Sequence, residues 1–136
     1  KPKSHAVQLF KKLQKANIKI ALNSGFGRSI MDCIIARLKW YDYVDYTVAS
    51  DEVKKGRPMP LMIRKIMKQA KIKDATSVAK VGDTPVDLLE GFHAGTGLNI
   101  AIESNKYTND ILSIYPHTHI LKNLKEVFYL LESESI

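Results

Sequence analysis

Short apolar runs, each ending in a small or polar turn, alternate along this chain with longer stretches of helical spacing. No other feature restricts the fold as much. The run Ile18 to Leu22 is apolar except for Lys19, and it gives way to Ser24-Gly25-Phe26-Gly27, the pattern of a buried strand ending in a tight turn. Asp45 to Ala49, Ser77 to Gly82, Leu98 to Ile102 and His119 to Leu121 repeat that pattern. Between them the apolar residues recur at helical intervals. Ser4 is placed to cap a helix to about Ala16, with Val7, Leu9, Phe10, Leu13 and Ala16 as its stripe and Asn17 as its stop. Ile30, Met31, Ile34, Ile35 and Leu38 mark a second helix up to Trp40. Pro60 suits the first turn of a third, through Ala70, with Leu61, Ile63, Ile66, Met67 and Ala70 inward. Asp83-Thr84-Pro85 opens a fourth that ends near Ala94, before Gly95 and Gly97. Tyr107 to Ile114 and Leu124 to Leu131 complete the set.

Strands that alternate with helices predict an α/β domain, a parallel sheet with helices on both faces. Its 136 residues suit one domain, and the 45% hydrophobic and 26% charged fractions exclude disordered and fibrous classes. No apolar run approaches the ~18 residues of a membrane helix, so no membrane partner is expected and a cytoplasmic location is. The formal charge of +7 comes from lysines spread over helix faces, as in KKLQK and RKIMKQAKIK, without aromatic interleaving, so nucleic acid is not an expected partner. The single cysteine, Cys33, lies among isoleucines and reads as a small buried hydrophobe. The chain opens on Lys1 rather than methionine, so a further upstream segment is expected.

In a parallel sheet the binding site lies beyond the carboxyl ends of the strands, which selects the loops after Leu22, Ala49 and Val81. Asn23-Ser24-Gly25-Phe26-Gly27 sets a hydroxyl and backbone N–H groups at one strand end, a cradle for phosphate or simply a turn. Lys54-Lys55-Gly56-Arg57-Pro58 supplies cations in the middle loop, and Arg57 is the one whose guanidinium suits a two-point grip on phosphate. In Gly82-Asp83-Thr84-Pro85-Val86-Asp87 one carboxylate ends a strand and another follows in the first helical turn, a hard-oxygen pair fit for Mg²⁺. The same pair would also serve a helix N-terminus with no metal, Asp83 as cap and Asp87 at the positive end.

Taken together these loops resemble the second, third and fourth motifs of the haloacid dehalogenase (HAD) superfamily, carried by Ala21 to Phe26, Gly56-Arg57-Pro58-Met59-Pro60 and Lys80 to Leu88. The wording of Ser24-Gly25-Phe26, Gly56 to Pro60, Ala79 to Gly91 and Pro116-His117-Thr118-His119 is similar to the phosphonatase-like hydrolases, relatives of phosphonoacetaldehyde hydrolase. The resemblance implies a Rossmann-like HAD core, and that residues 1–136 are its C-terminal part. It implies that Ser24 and the Gly25 N–H bind the transferred phosphoryl group and that Arg57 neutralises it. Asp83 would bind Mg²⁺ and Asp87 bind or orient its shell. The activity implied is a Mg²⁺-dependent phosphatase or phosphonatase acting on a small phosphorylated substrate through an aspartyl-phosphate. Asp51 and Lys54 take no part in that reading.

The family's D-x-D nucleophile motif does not occur in this sequence, and Asp42 and Asp45 stand in the wrong context for it. The mobile cap inserted before the second motif is not found either. The first strand of such a core lies between those ending at Ser24 and Gly82, so a missing N-terminal segment of the same protein is the expected partner and the isolated chain is expected to be inactive. A homodimer is compatible with this reading. The competing expectation is a non-catalytic module of the same fold that binds a phosphorylated ligand or a protein partner.

Overall fold

The computed structural model describes residues 5–134. Its elements run α1 (Ala6–Lys15), β1 (Ala21–Ser24), α2 (Arg28–Leu38), β2 (Tyr46–Ala49), α3 (Leu61–Ala70), β3 (Ala79–Gly82), α4 (Pro85–Ala94), β4 (Leu98–Ile102), α5 (Asn109–Leu112), β5 (His119–Leu121) and α6 (Lys125–Ser133), with short 3₁₀ turns at Ser50–Glu52 and Ala75–Ser77. Every strand pairing is parallel. β1 lies on β2 with Ser24 opposite Ala49, and β3, β4 and β5 form a second ladder in that order, with Gly82 opposite Ala101. No backbone ladder joins β1 to β3 among the described residues.

β4 is the fully buried strand, and it shows how both faces are covered. Leu98, Ile100 and Ile102 face the cluster made by Leu9, Phe10 and Leu13 of α1 and Val127 and Leu131 of α6. Ala101 points the other way, onto Leu88 of α4 and Leu112 of α5. This period of two across one strand is what a sheet packed on both sides demands. Phe10 also stacks edge-on against Trp40, 5.1 Å between ring centroids, tying α1 to the end of the α2 segment.

Several sequence expectations shift for local reasons. The first ladder begins at Ala21 rather than Ile18, because the Ile20 N–H donates to the Asp45 carboxylate at 2.8 Å instead of to a strand. The helix expected from Tyr107 shrinks to four residues, since the Tyr107 N–H is taken by Ser104 Oγ in a turn. On α2 the period is right and the phase is not. Met31 and Ile35 are buried, whereas Ile30 and Ile34 face outward, and Cys33, expected inside, is exposed. On α3, Met62 is wholly buried although it was not placed on the inward stripe. The expected cap Ser4 lies outside the described residues. Among the described residues no helix is long and apolar enough to cross a membrane.

Candidate active site

Parallel pairing puts the carboxyl ends of β1, β2 and β3 at one edge, and the loops that leave them meet there. Arg57 is the meeting point. Its Nη1 donates to Asp87 Oδ1 at 2.8 Å, while Nη2 lies so near Gly25 that a Cβ on that residue would stand 2.8 Å from it. The guanidinium therefore rests against the turn after β1, where a side chain at position 25 would make it shift. The peptide bond from Arg57 to Pro58 is cis. Ser50 Oγ closes the assembly by donating to the Gly25 carbonyl at 2.9 Å.

Ser24 ends β1, and its Oγ accepts the Phe26 N–H at 2.9 Å, which folds the turn over the strand end. That bond uses a lone pair and leaves the hydroxyl proton available for a phosphoryl oxygen. Gly25 is exposed. The turn thus offers a donor and an uncovered stretch of backbone beside a fixed cation.

At the β3 end the helix is capped by Thr84, not Asp83. Thr84 Oγ accepts the Asp87 N–H at 3.3 Å and donates back to Asp87 Oδ2 at 2.9 Å; the same Oδ2 accepts the N–H groups of Asp83 and Thr84 at 3.0 and 3.1 Å. This reciprocal arrangement is a capping box with Asp in the third helical position. Gly82 makes room for it, since a Cβ there would collide with the Asp87 side chain. Asp87 Oδ1 faces Arg57 at 2.8 Å and Lys80 Nζ at 3.5 Å. Burial alone would push this carboxyl up. The Lys80 and Arg57 charges, with the Thr84 hydroxyl and the Asp83 N–H, outweigh burial and hold it below the usual carboxylate range.

The donor set bears on the expected cation. Both Asp87 oxygens are engaged by this chain's own groups. Asp83 is half-buried in the loop beyond β3. The described residues contain no group of three or more His, Cys, Asp or Glu side chains that could hold a metal. Mg²⁺ commonly binds through one or two carboxylates and completes its shell with water and substrate phosphate, so Asp83 fits part of such a shell.

Of the expected site residues, Ser24, Gly25, Arg57, Asp83 and Asp87 all fall at this edge. Asp51 does not join them. Its carboxylate accepts the Arg28 N–H at the start of α2, and Lys54 is exposed. Lys80, Glu90 and Asn23 were not singled out by sequence, yet they form the buried floor. Lys80 Nζ stands 3.0 Å from Glu90 Oε1 and donates to Asn23 Oδ1 at 3.1 Å, and Asn23 Nδ2 donates to Glu90 Oε2 at 2.8 Å. The available signal was a lysine in an otherwise apolar strand and a glutamate on the apolar face of α4.

Comparison with known proteins bears on the family and the fold. Phosphonoacetaldehyde hydrolase of Bacteroides fragilis is 31% identical over 102 residues, which are 74% of this chain and 39% of that protein. That of Vibrio cholerae is 34% identical over 96 residues, 69% of this chain and 35% of that protein. The chain thus spans well under half the length of these relatives. Among solved structures, a phosphonoacetaldehyde hydrolase like protein from Oleispira antarctica superposes with a TM-score of 0.80 at 21% identity, over 93% of this chain and 54% of that one. A HAD-superfamily hydrolase from Ehrlichia chaffeensis gives 0.80 at 21%, over 98% and 59%. At these identities the structures speak for the fold. The family described as haloacid dehalogenase-like hydrolase matches residues 1–95, most of the chain, and this chain belongs to it.

Proposed function

We propose that this chain supplies the phosphate-binding and metal-binding side of a Mg²⁺-dependent hydrolase acting on a small phosphorylated substrate, a phosphate monoester or a phosphonate. The observation that carries the reading is Arg57, which touches the turn of Gly25 and the carboxylate of Asp87 at once. One cation so held between a hydroxyl-bearing turn and an acidic loop is suited to grip a phosphoryl group. Matching phosphonoacetaldehyde hydrolases, those of Bacteroides fragilis and Vibrio cholerae among them, support the substrate class.

In this reading Ser24 donates its hydroxyl proton to a phosphoryl oxygen and the Gly25 backbone lies alongside. Arg57 neutralises charge on the phosphoryl group while staying anchored to Asp87. Mg²⁺, when bound at Asp83, would supply further charge neutralisation at the phosphoryl oxygens. Asp87, locked by the capping box, keeps the Asp83 loop and Arg57 in register.

The attacking carboxylate would come from a D-x-D segment outside this chain, passing between β1 and β3, whose lack of a mutual ladder supports that placement. A second reading is a non-catalytic module binding a phosphorylated ligand or a protein. One experiment tests both. The full polypeptide carrying this chain should release phosphate from an aryl phosphate with Mg²⁺, and Asp83→Ala should abolish that release. Undiminished turnover in Asp83→Ala would remove Asp83 from the site, and no turnover by the parent protein would favour the module.

A further inference from the structure

Lys80, Glu90 and Asn23 form a closed triangle beneath the site, and its position between the two sheets gives it a task. Asn23 belongs to β1, Lys80 to β3 and Glu90 to α4. β1 and β3 share no ladder among the described residues, yet the Asn23–Lys80 bond of 3.1 Å crosses from one sheet to the other, and the Asn23–Glu90 bond of 2.8 Å ties β1 to α4. Glu90 is 0% exposed and Lys80 8%. A buried ion pair closed by side-chain hydrogen bonds is stiff, because each partner left alone would be a desolvated charge.

The triangle also touches the phosphate site at two points. Asn23 immediately precedes Ser24, so fixing its amide fixes the exit of β1 into the phosphate-binding turn. Lys80 Nζ lies 3.5 Å from Asp87 Oδ1, the atom that anchors Arg57 at 2.8 Å. Glu90, at 3.0 Å, draws the ammonium away from that oxygen and leaves Arg57 its nearest cation.

Resting on the phosphate-site reading above, we infer that Glu90 is a positioning residue: through Lys80 and Asn23 it holds the Ser24 turn and the Arg57–Asp87 pair at the separation that one phosphoryl group spans. Without the Glu90 charge, Lys80 competes with Arg57 for Asp87 Oδ1, and a neutral amide with one acceptor oxygen cannot receive both Lys80 and Asn23. Both donors to the phosphoryl group then drift, although neither has been altered.

The test uses the full polypeptide carrying this chain, with inorganic phosphate as probe in the presence of Mg²⁺, read as a dissociation constant by calorimetry together with the thermal unfolding midpoint. Glu90→Gln should weaken phosphate binding by about tenfold or more at a temperature where the protein remains folded. The double variant Asn23→Asp with Glu90→Gln moves the carboxylate from α4 to β1 and keeps Lys80 between the same two side chains. It should restore binding to within about threefold. A purely structural role would lower the unfolding midpoint and leave phosphate affinity of the folded protein where it was, and that result would overturn the inference. So would a swap variant no better than Glu90→Gln. Arg57→Ala separates the two readings. If it weakens phosphate binding and Glu90→Gln does not, the positioning role alone falls; if neither variant matters, the phosphate site falls and takes the inference with it.

Discussion

Two clusters of charge hold loops in place here, in opposite surroundings. Around Lys80, Glu90 and Asp87 the side chains are 9%, 0% and 10% exposed, and each charge has partners on another element. Around Arg28 the exposures are 31% for the arginine, 30% for Glu52 and 50% for Asp32, although the contacts are as short or shorter, 2.6 Å to Glu52 and 2.9 Å to Asp32. Distance therefore does not rank them. What differs is the alternative open to each group when a partner is removed: in the first cluster a stranded charge, in the second, water. The first cluster binds β1, β3 and α4 together, and the second ties the start of α2 to β2 and to the turn Ser50–Glu52.

The largest effect should come from splitting the buried pair. Lys80→Met alone should cost about 3–5 kcal/mol in urea unfolding, because it leaves the buried Glu90 carboxylate uncompensated; Glu90→Leu should cost less, since Lys80 keeps Asp87 at 3.5 Å. The double variant should recover much of that loss, since two apolar side chains of similar volume leave no charge stranded. A single variant costing under about 1 kcal/mol would put this cluster in the same class as the exposed one.

Thr84→Ala comes next, at about 1 kcal/mol, the ordinary worth of an N-cap side chain, with Thr84→Ser close to wild type. Thr84 both receives the Asp87 N–H and donates to Asp87 Oδ2. Its loss should therefore also raise the Asp87 carboxyl back toward the ordinary range, visible by carbon NMR of the carboxylate. An unmoved titration would mean that Lys80 and Arg57 hold Asp87 down without the cap.

The contrast between the clusters also explains what could be read from the sequence. The strands β4 and β5 were legible to the residue, each a short run bounded by turn signals, although only β4 is buried along its whole length. The edge of the sheet carrying Ser24, Arg57, Asp83 and Asp87 was legible as well, since turn glycines, a Gly-Arg-Pro loop and spaced carboxylates are local patterns. Lys80 and Glu90 were not, because their meaning lies in a contact between residues on different elements that no local period encodes. The phase of α2 failed for a related reason. Ile30, Met31, Ile34 and Ile35 offer two apolar stripes, and only the packing of Met31 and Ile35 on Ala49 decides which one turns inward. Thr84 took the cap that Asp83 was a candidate for because the Asp87 carboxylate reaches back to the N–H groups of both residues 83 and 84.

The smallest expected effect is in the exposed cluster, and its sign with pH is fixed. The Arg28 guanidinium, then the Ala49 N–H, hold the Glu52 carboxyl down at about 2 against an ordinary 4.5. A carboxyl lowered on folding contributes stability that is complete above its unfolded value and is lost as pH falls through the folded one. The Glu52 contribution should therefore be intact above pH 4.5 and vanish toward pH 2. Water and salt screen a pair this exposed, so Glu52→Gln should cost about 0–1 kcal/mol at neutral pH, less again in 1 M salt. Unfolding midpoints of wild type and Glu52→Gln should converge as the solution is acidified from pH 4.5. A gap that persisted at pH 2 would mean that Glu52 acts through its uncharged contacts, and a gap at neutral pH as large as that of Glu90→Leu would show that burial does not separate the two clusters.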